Sequence, residues 1–352
     1  MRQIGMRVCG EGMGPVVAIG GGAGPSLVAR ALAPELDRVV AVVCTSDRGS
    51  STGHCRRLFH MPAPGDVRAA VATFAALSGK ESLASLLDRR LRCPVNADLD
   101  GMALGNLILA ALFQEEGDLG LALARLKRTV DFHGEVLAVT TENCDLEAEL
   151  EDGNIVMGEL EVRRVGKAPI RRLGWAGKTP QAAPGVLEAI VAAELILLGP
   201  GCLYTSLLPC LLVKGVTEAI RRRRGPCIYI CNTTTTPGQT EGYSVSRHVM
   251  EVLKVLGKGG LDGVILHRGE LAKEVQNSYS VLGVAPLDVR PDDLDAIGAM
   301  GAKVWLFPLI EEPPAKPRSL HKVDTIRHDP AKLRKALQHI AREWGIRLLM
   351  DS

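Results

Sequence analysis

The chain has 352 residues, 46% hydrophobic but only 3% aromatic, so a sizeable core must be built mostly from Val, Leu, Ala and Ile. Forty-two basic and 40 acidic residues leave a net charge of +2, too balanced to call for nucleic acid or a membrane surface. Nine cysteines without a CxxC pair, and an N-terminus without a signal-type apolar segment, point to a reduced, cytoplasmic protein. A zinc site from Cys44, His54, Cys55 and His60 fits no standard ligand spacing. No greasy stretch is both long and uncharged enough for membrane insertion.

PVVAIGGG (15–22) reads as a strand ending in glycines, SLVARALAPEL (26–36) as a helix and VVAVVC (39–44) as the next strand. Residues 66–78, 81–91, 104–116 and 118–129 carry helical spacing. Between about 135 and 165, polar and apolar residues alternate around Asp152-Gly153, a hairpin signal, and predict a β-rich insert beside the main sheet. From 184 the α/β rhythm resumes, with strands at LILLG (195–199), CIYICN (227–232), DGVILH (262–267) and KVWLFPLI (303–310). Helices end near Arg224, where RRRR (221–224) reads as a solvated helix terminus, and span SVSRHVMEVLKVLG (244–257). The proline-rich EEPPAKP (311–317) precedes a last helix that begins after Asp329-Pro330. Strands alternating with helices predict a mostly parallel sheet with helices on both faces. One α/β domain is expected over 15–341, with 1–14 as an N-terminal extension and 342–352 as a C-terminal tail.

In such a sheet, ligands collect outside the carboxyl ends of strands. GGGAGPS (20–26) offers close backbone approach and a helix N-terminus suited to phosphate, through Gly21, Gly22, Gly24 and Ser26. It is not a Walker A, because no Lys follows Gly24. TSDRGSSTGH (45–54) adds Arg48, Gly49, Ser50 and Ser51 to the phosphate-type set. Asp66, in APGDVR (63–68), reads either as a helix N-cap or as the partner of Asp47. Two carboxylates near a diphosphate are what Mg²⁺ needs, phosphate oxygens and water completing its shell. Asn106 in LGNL must be satisfied by backbone or by a ligand base or ribose. LGPGCLYTSLLP (198–209) makes a second anion site plausible at Gly199, Gly201, Thr205 and Ser206; the alternative is a tight turn whose hydroxyls cap the helix. Ser244 reads as an N-cap and His248 as structural. No GxSxG elbow supports serine catalysis.

GGGAGPSLVARAL, APGDVR, LGNLILAAL, LGPGCLYTSLLP, PGQTEGYSVSRHV and IRHDPAKL occur in the order found in the gluconeogenesis factor family. That CofD-like family is related to 2-phospho-L-lactate transferase, and the resemblance runs from about 15 to 340. It implies a Rossmann-like α/β fold. In the transferase branch it implies a guanine nucleotide and a metal, and transfer of a phospholactyl group from an activated diphosphate to a flavin-like alcohol. In the gluconeogenesis-factor branch, which GGGxGxS resembles more, it implies a nucleotide-sugar binder associated with UDP-N-acetylglucosamine, central carbon flux and cell-envelope morphogenesis. The chain is a divergent member. Ser46 and Arg48 stand where the family's DDGGSSG has its first acid and first glycine. Met102 and Ala103 replace His-Ser before LGN, and Ala69 and Cys210 replace asparagines.

The leading expectation is a cytoplasmic nucleotide or nucleotide-sugar diphosphate binder with a regulatory role. A Mg²⁺-dependent transferase using Asp47 and Asp66 is the rival, since phosphoryl-type chemistry needs charge neutralisation more than a strong base. A structural subunit that has lost its site is the third reading. A homodimer is plausible, without a derived interface.

Overall fold

The computed structural model describes residues 13–271, 273–312 and 326–346. Most of the expected N-terminal extension, the C-terminal tail and the 311–317 segment lie outside the described residues. Ten strands form among the described residues: β1 (Val16–Gly20), β2 (Val39–Val43), β3 (Glu135–Ala138), β4 (Leu146–Leu150), β5 (Ile155–Met157), β6 (Ile170–Trp175), β7 (Leu195–Leu198), β8 (Cys227–Ile230), β9 (Gly263–His267) and β10 (Lys303–Phe307).

Seven of them make one parallel sheet in the order β10-β9-β8-β7-β1-β2-β3. The continuous apolar runs VVAIG, VVAVV, LILL and CIYI have this cause: the four strands are buried along their whole length, as parallel strands covered on both faces must be. The period of two sorts their side chains. Val16 and Ala18 join one core layer with the helices Ala23–Ala31, Gly65–Leu77, Leu104–Glu116 and Pro330–Trp344, while Val17 and Ile19 join the other with Val186–Ala192, Val216–Arg221 and Val245–Leu256. The α/β fold read from the sequence is the fold observed.

Three details differ from the sequence reading. First, β3 is not part of the insert. It is the edge strand of the main sheet, paired with β2 from Val40↔Glu135 to Val43↔Ala138. Its side chains alternate between buried and half-buried, so periodicity alone could not separate it from a hairpin. The insert is the antiparallel sheet β5-β4-β6, which starts at Leu146 and reaches Trp175, and its tight turn falls at Asp152-Gly153 as expected.

Second, TSDRGSSTGH is only half a loop. A helix runs over Ser50–Phe59, and its buried face is Ser51, Thr52, Cys55 and Arg56. A helix that turns polar residues inward escapes a hydropathy reading. Third, RRRR (221–224) is not simply solvated: Arg221 donates to the Leu256 carbonyl at 3.1 and 2.9 Å, and Arg223 pairs with Asp262. Arg221 and Arg223 staple the end of one helix to its neighbours, while Arg222 and Arg224 are exposed as expected. No helix among the described residues is long and apolar enough to cross a membrane.

Candidate functional site

The chain leaves β1 for β2 on one side and β7 for β8 on the other, so the carboxyl ends of β1 and β7 lie side by side at a topological switch point. Two glycine turns meet there. A Cβ on Gly21 would stand 2.7 Å from Ser206 Oγ and 2.9 Å from Asp66 Oδ2, and one on Gly22 would stand 2.8 Å from the Asp66 carbonyl oxygen. A Cβ on Gly24 would collide with the Pro200 carbonyl oxygen. These glycines are required by the close approach of the second turn and of Asp66. Ser26 is buried in the first turn of the helix that follows.

Asp66 is the second residue of the helix Gly65–Leu77; Pro64 takes the N-cap position and no side chain caps it. The N-cap reading of Asp66 is therefore set aside, and its carboxylate instead faces Gly21 and Gly22. Asp47 Oδ1 accepts the Gly49 N–H at 2.9 Å, and its Oδ2 lies 3.6 Å from where a Gly65 Cβ would be. The two aspartates thus flank the start of one helix. Gly49 is the N-cap of Ser50–Phe59, and Ser50 holds a left-handed φ of +46° in the turn from strand end to helix.

Other expected contacts are turned inward. Ser51 Oγ accepts from Asn106 Nδ2 at 2.8 Å and from the Ala103 N–H at 2.9 Å, and it donates to Met102 Sδ at 3.1 Å. Ser51 and Asn106 are joined as a structural tie, with Asn106 Oδ1 left buried and unpartnered. Met102, one of the departures from the family pattern, is the acceptor in that tie. Thr205 and Ser206 lie in a single π-helical turn, Leu203–Leu207, whose hydroxyls do not cap it. Such turns are rare and often sit at functional sites. Asn232, beyond β8, holds the second glycine turn by donating to the Gly201 carbonyl at 2.9 Å. Beneath both turns, the Cys210 thiol is 3.6 Å from the Gly20 carbonyl. Ser244 is the N-cap expected, and buried His248 bonds the Ser244 carbonyl. Cys44 and Cys55 fall in opposite core layers, which separates two of the four zinc candidates.

A family model described as 2-phospho-L-lactate transferase CofD matches residues 16–310. The chain belongs to the CofD family. The gluconeogenesis factor of Bacillus subtilis is 33% identical over 94% of this chain and 100% of that protein. A longer relative from Deinococcus radiodurans is 35% identical over 92% of the chain, which spans 65% of that relative's length. A crystal structure of a UPF0052-family protein from Bacillus halodurans superposes with a TM-score of 0.82 at 32% identity, covering 92% of this chain and 99% of that one.

The charges around this CofD-family site were not legible in the sequence. Arg48 grips Asp145, the residue just before the insert, with both Nε, at 2.6 Å, and Nη2. Arg56, buried on the helix Ser50–Phe59, reaches Asp145 at 2.9 Å, Asn143 Oδ1 at 2.8 Å and the Cys144 carbonyl at 2.9 Å. Burial raises the Asp145 carboxyl, but the two arginines outweigh it and hold Asp145 below its ordinary value. Arg68 pairs with Asp88; burial and nearby Arg90 lower its guanidinium to about 10, so it stays charged at neutral pH.

The insert carries a further buried carboxylate near this end of the sheet. Glu159 opens the short helix Glu159–Val162, and its side chain is 5% exposed. Burial first, then the charge of Asp47, raise it above the usual glutamate value, against the pull of Arg163 and the Arg48 N–H. A concavity of about 960 Å³ lies elsewhere, between β6 and the helix Val245–Leu256, and borders the second glycine turn's segment at Tyr204 and Leu208. Two of its acids, Glu149 and Glu251, are already paired with arginines and a lysine. The switch point, with its converging glycines and acids, is the better candidate.

Proposed function

We propose that this CofD-family protein binds a nucleotide or nucleotide-sugar diphosphate together with Mg²⁺ in the cytoplasm. Its role would be regulatory, in central carbon metabolism and cell-envelope morphogenesis. The observation that carries the reading is the meeting of Gly21 and Gly22 with Asp66 and Ser206 at the switch point, with Asp47 across the start of the same helix beside Gly65. Backbone N–H groups at a glycine turn and helix start favour phosphate, and two carboxylates beside it supply hard oxygen donors for Mg²⁺. The gluconeogenesis factor name of the Bacillus subtilis relative supports the metabolic half of the proposal.

Arg48, expected from the sequence to contact phosphate, forms a bidentate pair with Asp145 that offsets its charge. Mg²⁺ would then carry most of the neutralisation. Calorimetric titration with UDP-sugars, UDP, GDP and GTP, with and without Mg²⁺, is the test. At least one diphosphate is expected to bind with Mg²⁺ dependence, and Asp47→Ala is expected to weaken that dependence. No heat and no thermal stabilisation with any of them contradicts the proposal.

The family description favours a second reading, transfer of a phospho-group from an activated nucleotide diphosphate to an alcohol. There the same aspartates and Mg²⁺ would neutralise charge developing on the phosphates. Mass spectrometry of the bound diphosphate after incubation with alcohol acceptors separates the two: intact ligand supports the binder, and a transferred group supports the enzyme.

A further inference from the structure

Asp145 answers two guanidiniums, and they are held in unequal ways. The Arg56 side chain is 7% exposed; besides Asp145 Oδ1 at 2.9 Å, it donates to the Ser46 carbonyl, Asn143 Oδ1 and the Cys144 carbonyl. The Arg48 side chain is 47% exposed, and among the described residues its guanidinium bonds Asp145 alone. Arg48 Nε and Arg56 Nη2 share Oδ1, while Oδ2 takes Arg48 Nη2.

That inequality decides what each arginine can do. Withdrawing Arg56 would strip a buried charge of every partner at once, a costly loss. Withdrawing Arg48 leaves Asp145 still paired with Arg56, and the carboxylate, 26% exposed, can turn its freed oxygen to water. Exposed ion pairs of this kind contribute little to stability. Arg48 is the removable member, and it lies one residue from Asp47 on the loop that follows β2. It also stands where the family's loop carries a glycine, so the arm belongs to this chain.

We propose that Arg48 is an exchangeable phosphate ligand: it leaves Asp145 for a phosphate of the incoming diphosphate, and Asp145 stays with Arg56. The assignment rests on the reading of a diphosphate site at the switch point. The arginine fork fits two phosphate oxygens as it now fits two carboxylate oxygens. One bidentate pair replaces another, and no donor is left over. Asp145 thereby competes with the ligand for the arm and sets its affinity from outside the site. The tie between the 45–51 loop and Asp145 passes to Arg56 alone.

Calorimetric titration of the full chain with UDP-sugars, UDP, GDP and GTP in the presence of Mg²⁺ tests the exchange in wild type, Arg48→Gly, Arg48→Lys and Asp145→Asn. Arg48→Gly restores the family residue at an exposed position. It should weaken whichever of these wild type binds by about tenfold or more, the worth of hydrogen bonds to a charged group. Arg48→Lys keeps the charge without the fork and should fall between. Asp145→Asn removes the competitor and should tighten binding by up to about fivefold, the scale of an exposed ion pair. That opposite sign separates exchange from a structural tie, whose loss weakens binding from either side. Unchanged binding in Arg48→Gly, or weakened binding in a folded Asp145→Asn, overturns the exchange and leaves the diphosphate reading standing. If Asp145→Asn fails to fold by circular dichroism, the Arg48 Nε–H resonance of ¹⁵N-labelled wild type decides, assigned by its absence from Arg48→Lys. It should shift when the ligand binds, and an unmoved resonance at saturation overturns the exchange. A wild type that binds none of the four overturns both proposals.

Discussion

Arg56 shows how one side chain can fix a site without touching a ligand. From the helix Ser50–Phe59 it ties the strand-end loop to Asn143, Cys144 and Asp145 at the root of the insert. Arg56→Ala would remove these contacts from the exposed Asn143 amide and the Cys144 carbonyl, and would leave the Asp145 carboxylate with Arg48 alone. A loss of about 2–3 kcal/mol is expected in chemical denaturation, on the scale of charged hydrogen bonds left unmade. A loss within about 0.5 kcal/mol of zero, as at ordinary surface positions, would show the tie to be idle. In the sequence, the hydroxyls, glycines and acids of the site were visible because their types are unusual at strand ends. Which of them face a ligand was not. Ser51 and Asn106 lie 55 positions apart and satisfy each other, and Arg48 meets Asp145 across 97 positions; no local pattern encodes such pairings.

At the scale of elements, the helix Ser50–Phe59 ends on His60 in the left-handed conformation, φ +51°, with its side chain exposed. Glycine takes that position without the Cβ penalty. His60→Gly should therefore stabilise the protein by about 1 kcal/mol in thermal unfolding, and a lowered midpoint would contradict the account of this cap. The buried strands were legible because parallel strands covered on both faces become continuous apolar runs, and Leu104–Glu116 was legible to the residue. The polar inner face of Ser50–Phe59, the half-buried edge strand β3 and the π-helical turn Leu203–Leu207 were not, because tertiary contacts rather than periodicity decide them.

Across the whole molecule, the segment before the last helix is pinned to the far half of the sheet. Thr233 donates to the Ile326 carbonyl, and His328 Nε2 bonds the Cys231 carbonyl at 3.1 Å. Burial, with His267 nearby, lowers the His328 imidazole from 6.5 to about 4, against the Cys231 bond. His328 is thus neutral in the fold while the unfolded chain takes up a proton below pH 6.5. Its contribution is whole above that pH and is lost as pH falls towards 4, by about 3 kcal/mol at most. Urea denaturation at pH 7 and 4.5 should show this loss, and His328→Gln should shrink it; an unchanged pH slope in the variant would place the acid sensitivity elsewhere. The central claim concerns where the ligand sits, and a crystal structure grown with UDP and Mn²⁺ tests it most directly. Phosphate density is expected between residues 20–26 and Ser206, with an anomalous Mn²⁺ peak beside Asp47. Phosphate and metal density in the groove between β6 and the helix Val245–Leu256, with the strand ends empty, would contradict it.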